Sequence, residues 1–249
     1  MKNVIITILA MLVLGLCGFL VYDKVIDKEE KTLVEDGTKE EKDDQYTLID
    51  KNDANIQYLY KGSKGVRPKD KLYTTSNLKT SDRSQVDKYC SVLEVTKGFT
   101  SYNIDGEEFY TVLEENFKMS YEKIFGPHTY TRTNEFNCAC ARYVYDENSY
   151  KLVEDGCGFT SSYDEMIEEV RKYNDRIEIS AIYYYHEFDV EAEKYCTDET
   201  CTEVILENSN GGSIETFISN YKDKLNRLIY TYELSDDGYY YFTSTKINK

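Results

Sequence analysis

The sequence predicts an α+β protein: an N-terminal transmembrane helix, a charged stalk, then amphipathic helices packed on a curved antiparallel sheet. Three observations carry that expectation. An uncharged apolar stretch opens the chain, an acidic run comes directly after it, and the remainder alternates helix-spaced apolar residues with tyrosine-rich runs joined by polar turns. With 41% hydrophobic residues in 249, there is enough apolar surface for a packed core. The 25 tyrosines and 2 prolines favour strands and argue against collagen or a long Pro-rich coil. A formal charge of −16 makes a polyanionic nucleic acid a poor partner.

The first element is the run VIITILAMLVLGLCGFLVY at residues 4–22, 19 residues without a charge. At 1.5 Å per residue it reaches roughly 28 Å, about one hydrocarbon core. Lys2 precedes it and acidic residues come after it, so positive-inside bias keeps the N-terminus cytoplasmic and sends the rest outward. Two rival readings are a cleaved signal peptide, for which no A-x-A site appears, and lipidation at Cys17, where the preceding Leu14-Gly15-Leu16 places a bulky Leu at a position that favours Gly, Ala or Ser. Residues 23–44 carry five Lys against ten Asp and Glu, so little apolar gain offsets the entropy of ordering them. The expected organisation is an anchor over 1–22, a linker over 23–45 and an extracytoplasmic α+β domain over 46–249.

Within that domain, Asp50, Asn52 and Asp53 resemble the start of an EF-hand, but Ala54 and Lys61 fall where later ligands belong, so a solvated face is expected. Gly62-Ser63-Lys64-Gly65 reads as a loop. Capping character at Asp82 to Gln85 precedes Val86, Tyr89, Cys90 and Leu93 at helical spacing. A longer helix is expected from Asp105 and Glu108, with Phe109, Val112, Leu113, Phe117, Tyr121, Ile124 and Phe125 as its stripe and Gly126-Pro127 as its end. Ser162 with Glu165 forms an S-x-x-E box before Met166, Ile167, Val170 and Tyr173, predicting another helix. A last one should start at Ser213 and present Ile214, Phe217, Ile218, Tyr221, Leu225 and Leu228 on one side. Hairpins are expected at 138–156 and 229–245, and a central strand over 177–188 with 202–206 beside it.

Six cysteines remain beyond Cys17: Cys90, Cys138, Cys140, Cys157, Cys196 and Cys201. An even count in an outward-facing domain favours disulfides. If the 146–149 turn sets Tyr145 opposite Tyr150, Cys138 falls across from Cys157. Cys196 and Cys201 would then close a small loop and leave Cys90 with Cys140. The alternatives are buried thiols, or a metal held by Cys138, Cys140 and the two histidines, His128 and His186. No two-knuckle zinc pattern is present, so neither a metal nor a cofactor is expected.

No nucleophile elbow, P-loop, H-E-x-x-H or dinucleotide fingerprint occurs, and carboxylates are too abundant for any pair to stand out. Along the last hairpin, Leu228, Tyr230, Tyr232 and Leu234 share one face, while Tyr239, Tyr241 and Thr243 alternate with Tyr240 and Phe242. One face must be core. The other would show aromatic rings with polar tips, a surface suited to peptides or glycans.

The opening MKNVIITILAMLVLGLCGFLVYDKVIDKEE resembles the anchors of uncharacterised bacterial envelope proteins with a single N-terminal span. KLYTTSNLKTSDRSQVDKYC, EEFYTVLEENFKMSYEKIFGP and YTYELSDDGYYYFTSTKINK are similar to segments of the same class. The resemblance implies an envelope location and an α+β ectodomain, with no functional residues to carry over. A looser likeness to nuclear-transport-factor-like and cystatin-like folds is an analogy of architecture. The functional expectation is a membrane-anchored binding or interaction module with an envelope protein, peptide or glycan partner. The alternative is a surface hydrolase whose acidic residues the sequence does not identify.

Overall fold

The computed structural model describes residues 45–65, 71–104, 107–154, 156, 161–188, 193–207 and 214–248. The expected anchor and linker, up to residue 44, lie outside these. Among the described residues, no helix is long and apolar enough to cross a membrane. The chain divides into two compact units, Met1–Thr47 and Leu48–Lys249, with a two-residue strand, β1 (Thr47–Leu48), at the boundary.

The second unit is α+β with two antiparallel sheets, where the sequence suggested one. The smaller sheet has the order β3-β4-β7-β6-β5, from β3 (Phe99–Ile104), β4 (Glu107–Leu113), β5 (Glu135–Cys138), β6 (Ala141–Asp146) and β7 (Ser149–Glu154). The larger runs β8-β9-β12-β13-β2, built from β2 (Asn77–Lys79), β8 (Ser161–Lys172), β9 (Arg176–Phe188), β12 (Asn226–Leu234) and β13 (Tyr240–Asn248). Off this path, β10 (Glu193–Cys196) pairs with β9 and β11 (Val204–Glu207) pairs with β10. The expected neighbour of β9 over 202–206 is therefore one strand further away.

Helices α1 (Ala54–Ser63), α2 (Lys71–Thr74), α3 (Gln85–Leu93) and α4 (Glu114–Phe125) contribute to one core with residues of both sheets, including Phe136 and Tyr150 from the smaller and Ile179, Tyr230 and Phe242 from the larger. Asp53, an expected EF-hand position, caps α1 by accepting from the N–H groups of Asn55 and Ile56. The Gly62-Ser63 pair ends α1 and is not a loop. A Cβ on Gly62 would sit 2.6 Å from Ile124 Cδ1, so glycine allows α1 to approach α4 closely. The opposite face of β9 supplies Ile182 and Tyr184 to a smaller cluster with Phe217 and Ile218 of α5 (Ile214–Tyr221). Burial on both faces explains why β9 reads as an unbroken run.

Two expected helices are wholly or partly strand. The run over 107–113 pairs with β3 and β7, and only from Glu114 does the chain become helical, with the Glu114 N–H donating to the Asn148 carbonyl of the β6–β7 turn. The Ser162 box precedes no helix: β8 pairs along β9, and a bulge between Ile167 and Glu169 shifts its alternation. Ile167 and Val170, three apart, are consequently both buried, which imitates helical spacing. The last stripe also divides, since α5 stops at Tyr221 and Leu228 belongs to β12.

The cysteine pairing differs from the one the hairpin register predicts. Tyr145 does face Tyr150, but the strand does not continue back to Cys138. It turns at Ala139-Cys140, with Ala139 at φ 54°, so Cys138 pairs with Ala141 at the end of β5. There it bonds Cys90 of α3, at a Cα separation of 5.3 Å. Cys140 is itself disulfide-bonded, and is neither paired with Cys90 nor on one strand face with Cys138. Cys157 lies outside the described residues. Cys196 and Cys201 are joined as expected. The Cys90–Cys138 link spans 48 residues and restricts the unfolded chain by about 4 kcal/mol on a chain-entropy account. Non-reducing peptide mapping is expected to recover Cys90 joined to Cys138, and a Cys90→Ala/Cys138→Ala variant should lower unfolding stability in urea by up to that amount.

Candidate functional site

The candidate site is an open groove of about 900 Å³ along the outer face of α4. The inner face of that helix buries Phe117, Tyr121 and Ile124, which leaves Glu115, Lys118, Met119 and Glu122 facing the groove. Gly126, at φ 99°, ends the helix, and Thr129 Oγ1 donates to its carbonyl at 2.6 Å. The chain then returns alongside α4 and brings Tyr130 and Arg132 to the N-terminal end of the helix. The far wall comes from the β12–β13 hairpin. Gly238, at φ 84°, makes the predicted turn, and Asp237 accepts from the Tyr239 N–H and the Tyr241 hydroxyl, which holds both tyrosines at the groove.

Three large apolar or aromatic side chains of this lining are strongly exposed: Leu113 at 54%, Met119 at 62% and Tyr239 at 63%. Leu113 belongs to the stripe that the sequence predicts for α4, but it sits at the N-cap position and faces outward. Of the hairpin tyrosines, Tyr230 and Tyr232 are core, whereas Tyr239 and Tyr241 form the displayed aromatic surface. The ionic lining is balanced, with Glu114, Glu115 and Glu122 against Lys118, Lys123 and Arg132, in a chain of net charge −16.

Glu114 ties the groove together. Arg132 donates to both of its oxygens at 2.7 Å, and the hydroxyls of Tyr130 and Tyr145 donate at 3.1 and 3.0 Å. Arg132 also lies 4.6 Å above the Tyr145 ring. The Arg132 hydrogen bonds, ahead of the opposing effect of burial, hold the Glu114 carboxyl below its ordinary range.

A second carboxylate gathers hydroxyls inside the larger sheet. Glu165 of β8 accepts from Tyr60 at 2.9 Å, from Tyr230 at 2.7 Å and from Tyr73 of α2. Burial pushes its carboxyl up, against the hydroxyl donors and Lys64. His186 is buried in β9 and stacked on Tyr195, with Asp164 and Glu193 each 3.8 Å from its ring nitrogens. Burial lowers its pKa, against the pull of those two carboxylates. His128 is exposed in the loop after α4, where its N–H donates to Glu122. Neither histidine lines the groove. No group of three His, Cys, Asp or Glu among the described residues is placed to hold a metal ion.

No protein family, curated protein or solved structure matches this chain. The groove itself therefore carries the functional reading. Among the described residues its lining holds no histidine, cysteine or serine, and the oxygens of its most engaged carboxylate are occupied by protein donors. Sequence reasoning missed Glu114, Arg132 and Met119. The available signal was Met119, an apolar residue off the α4 stripe.

The depressed Glu114 carboxyl stabilises the fold above the ordinary carboxylate value of about 4.3, and that contribution is lost as pH falls through the lower folded value. Glu114→Gln should therefore cost about 1 kcal/mol at neutral pH, and the deficit should shrink on acidification. Urea midpoints of both proteins between neutral and strongly acid pH check this.

Proposed function

We propose that the chain is a membrane-anchored, extracytoplasmic binding module of a bacterial cell envelope, and that the groove along α4 takes an extended, largely uncharged peptide segment of a partner protein. The carrying observation is that Leu113, Met119 and Tyr239 stand exposed around one groove. Scattered single apolar residues need no explanation, but a contiguous set lining a concavity does. The occupant's chemistry follows from the lining. Tyrosine rings offer flat apolar contact with polar tips, and the balanced charges favour neither a polycation nor a polyanion.

The envelope location is supported by the apolar run at 4–22 and by the Cys90–Cys138 and Cys196–Cys201 disulfides, which are consistent with an oxidising setting. A surface hydrolase would need a carboxylate open to substrate. Glu114 and Glu165 have their oxygens engaged by protein donors, and it is the exposed aromatic and apolar lining, more than the carboxylates left at the groove, that supports the binding reading.

The test is a screen of the full chain in detergent micelles against peptide and glycan arrays, with affinity measurements on the hits. Peptides should bind, and Met119→Glu and Tyr239→Ser should each weaken them at least about tenfold, as expected for anchors of an interface. Binding of glycans alone, or peptide binding that neither variant changes, would contradict the assignment.

A further inference from the structure

The hydrogen-bond count around Glu165 is informative. Tyr60 and Tyr230 both donate to Oε2, and Tyr73 lies against Oε1. The Tyr73 hydroxyl is also 3.2 Å from the carbonyl oxygen of Gly65, a buried residue. One hydroxyl has one proton. If Glu165 is ionised, Tyr73 can serve either the carboxylate or the Gly65 carbonyl, and not both fully. If Glu165 is neutral, its own Oε1–H donates to Tyr73, Tyr73 donates onward to Gly65, and Oε2 still accepts from Tyr60 and Tyr230. Every polar atom of this relay is then satisfied.

The surroundings point the same way. Facing Glu165 are Tyr60 from α1 and Lys64 directly after it, Tyr73 from α2, Tyr230 and Tyr232 from β12, and Tyr183 directly opposite on β9. The flanking residues of its own strand include Asp164, which alternates away from it, and Tyr163, which accepts from the N–H of Glu199. Lys64 is the cation among these groups, and it is already paired with Glu94 at 3.5 Å. Among the described residues no cation comes within ion-pair distance of Glu165, so its ionised form would lose hydration with little compensating charge.

We infer that Glu165 is a neutral carboxylic acid in the folded protein, and that the Glu165–Tyr73–Gly65 relay is a pH-sensitive latch holding α2 to the larger sheet. As pH rises, the proton leaves to solvent, the relay loses a donor, and the attachment of α2 weakens. The effect of burial on the Glu165 carboxyl agrees in direction. Because the folded value is raised, the stabilisation is complete below the unfolded value of about 4.3 and is lost as pH climbs through the folded one.

Two measurements on the full chain in detergent micelles test this. The ¹³C shift of the Glu165 carboxyl, assigned by comparison with Glu165→Gln, should titrate above those of the other glutamates; titration at or below them would overturn the inference. Glu165→Gln supplies an amide N–H to Tyr73 and an oxygen to Tyr60 and Tyr230, and so copies the neutral acid. Its urea midpoint should match the wild type at acid pH and exceed it as pH rises. A variant less stable than the wild type across the whole range would refute the relay. Should that variant not fold, the other glutamates' shifts assign Glu165 by difference and the titration alone decides.

Discussion

A tyrosine ring can fill a protein core only if its hydroxyl keeps a hydrogen-bond partner there. The six largest fully buried side chains among the described residues are Tyr89, Tyr121, Tyr150, Tyr184, Tyr230 and Tyr232. Each hydroxyl left without a partner would cost about 1–3 kcal/mol, a large part of any domain's stability. The structure meets the requirement with partners that the fold brings beside each ring. Tyr89 donates to the Thr131 carbonyl, Tyr232 lies 2.6 Å from the Ser63 hydroxyl, and Tyr150 lies 2.7 Å from the Tyr130 hydroxyl, which donates to Glu114. For Tyr230 the acceptor is Glu165. At Tyr230 directly, and at Tyr150 through Tyr130, the requirement is met by a carboxylate.

The two carboxylates recruited in this way have opposite electrostatic fates. Glu114 opens α4 at the surface, where Arg132 can reach it, and it remains charged as the cornerstone of the groove. Glu165 lies on β8 beside β9, where Tyr73 of α2 reaches it, and meets hydroxyls in place of a guanidinium. The same need for acceptors therefore yields an ion pair beside a candidate binding surface in one place and an uncharged interior acid in another. The difference follows from whether a cation can approach.

Much of this architecture is legible in the sequence. The hairpin turns at 146–149 and 235–238, the end of α4 at Gly126, the helix after Ser84 and the central strand β9 all follow from local chemistry: left-handed turn positions, capping side chains and β-branched or aromatic runs. The features that escape a sequence reading depend on partners distant along the chain. The bulge in β8 makes a strand look helical, and the turn at Ala139-Cys140 sends Cys138 to Cys90 rather than along the hairpin. The groove is assembled from α4, the loop after it and the far hairpin, segments that share no sequence motif. Glu165 reads as part of a helix cap because nothing local marks a strand residue whose partners lie 65 to 105 positions away.

The most direct test is a double-mutant cycle between Glu165 and Tyr230, read as unfolding free energy. If the carboxylate is present to satisfy buried hydroxyls, Glu165→Leu strands those of Tyr60 and Tyr230, and removing one in advance by Tyr230→Phe should make the loss of Glu165 markedly less costly. The expected coupling is about 1 kcal/mol or more. Strict additivity of the two substitutions would mean that the Tyr230 hydroxyl does not depend on Glu165, and the explanation of this core would fail.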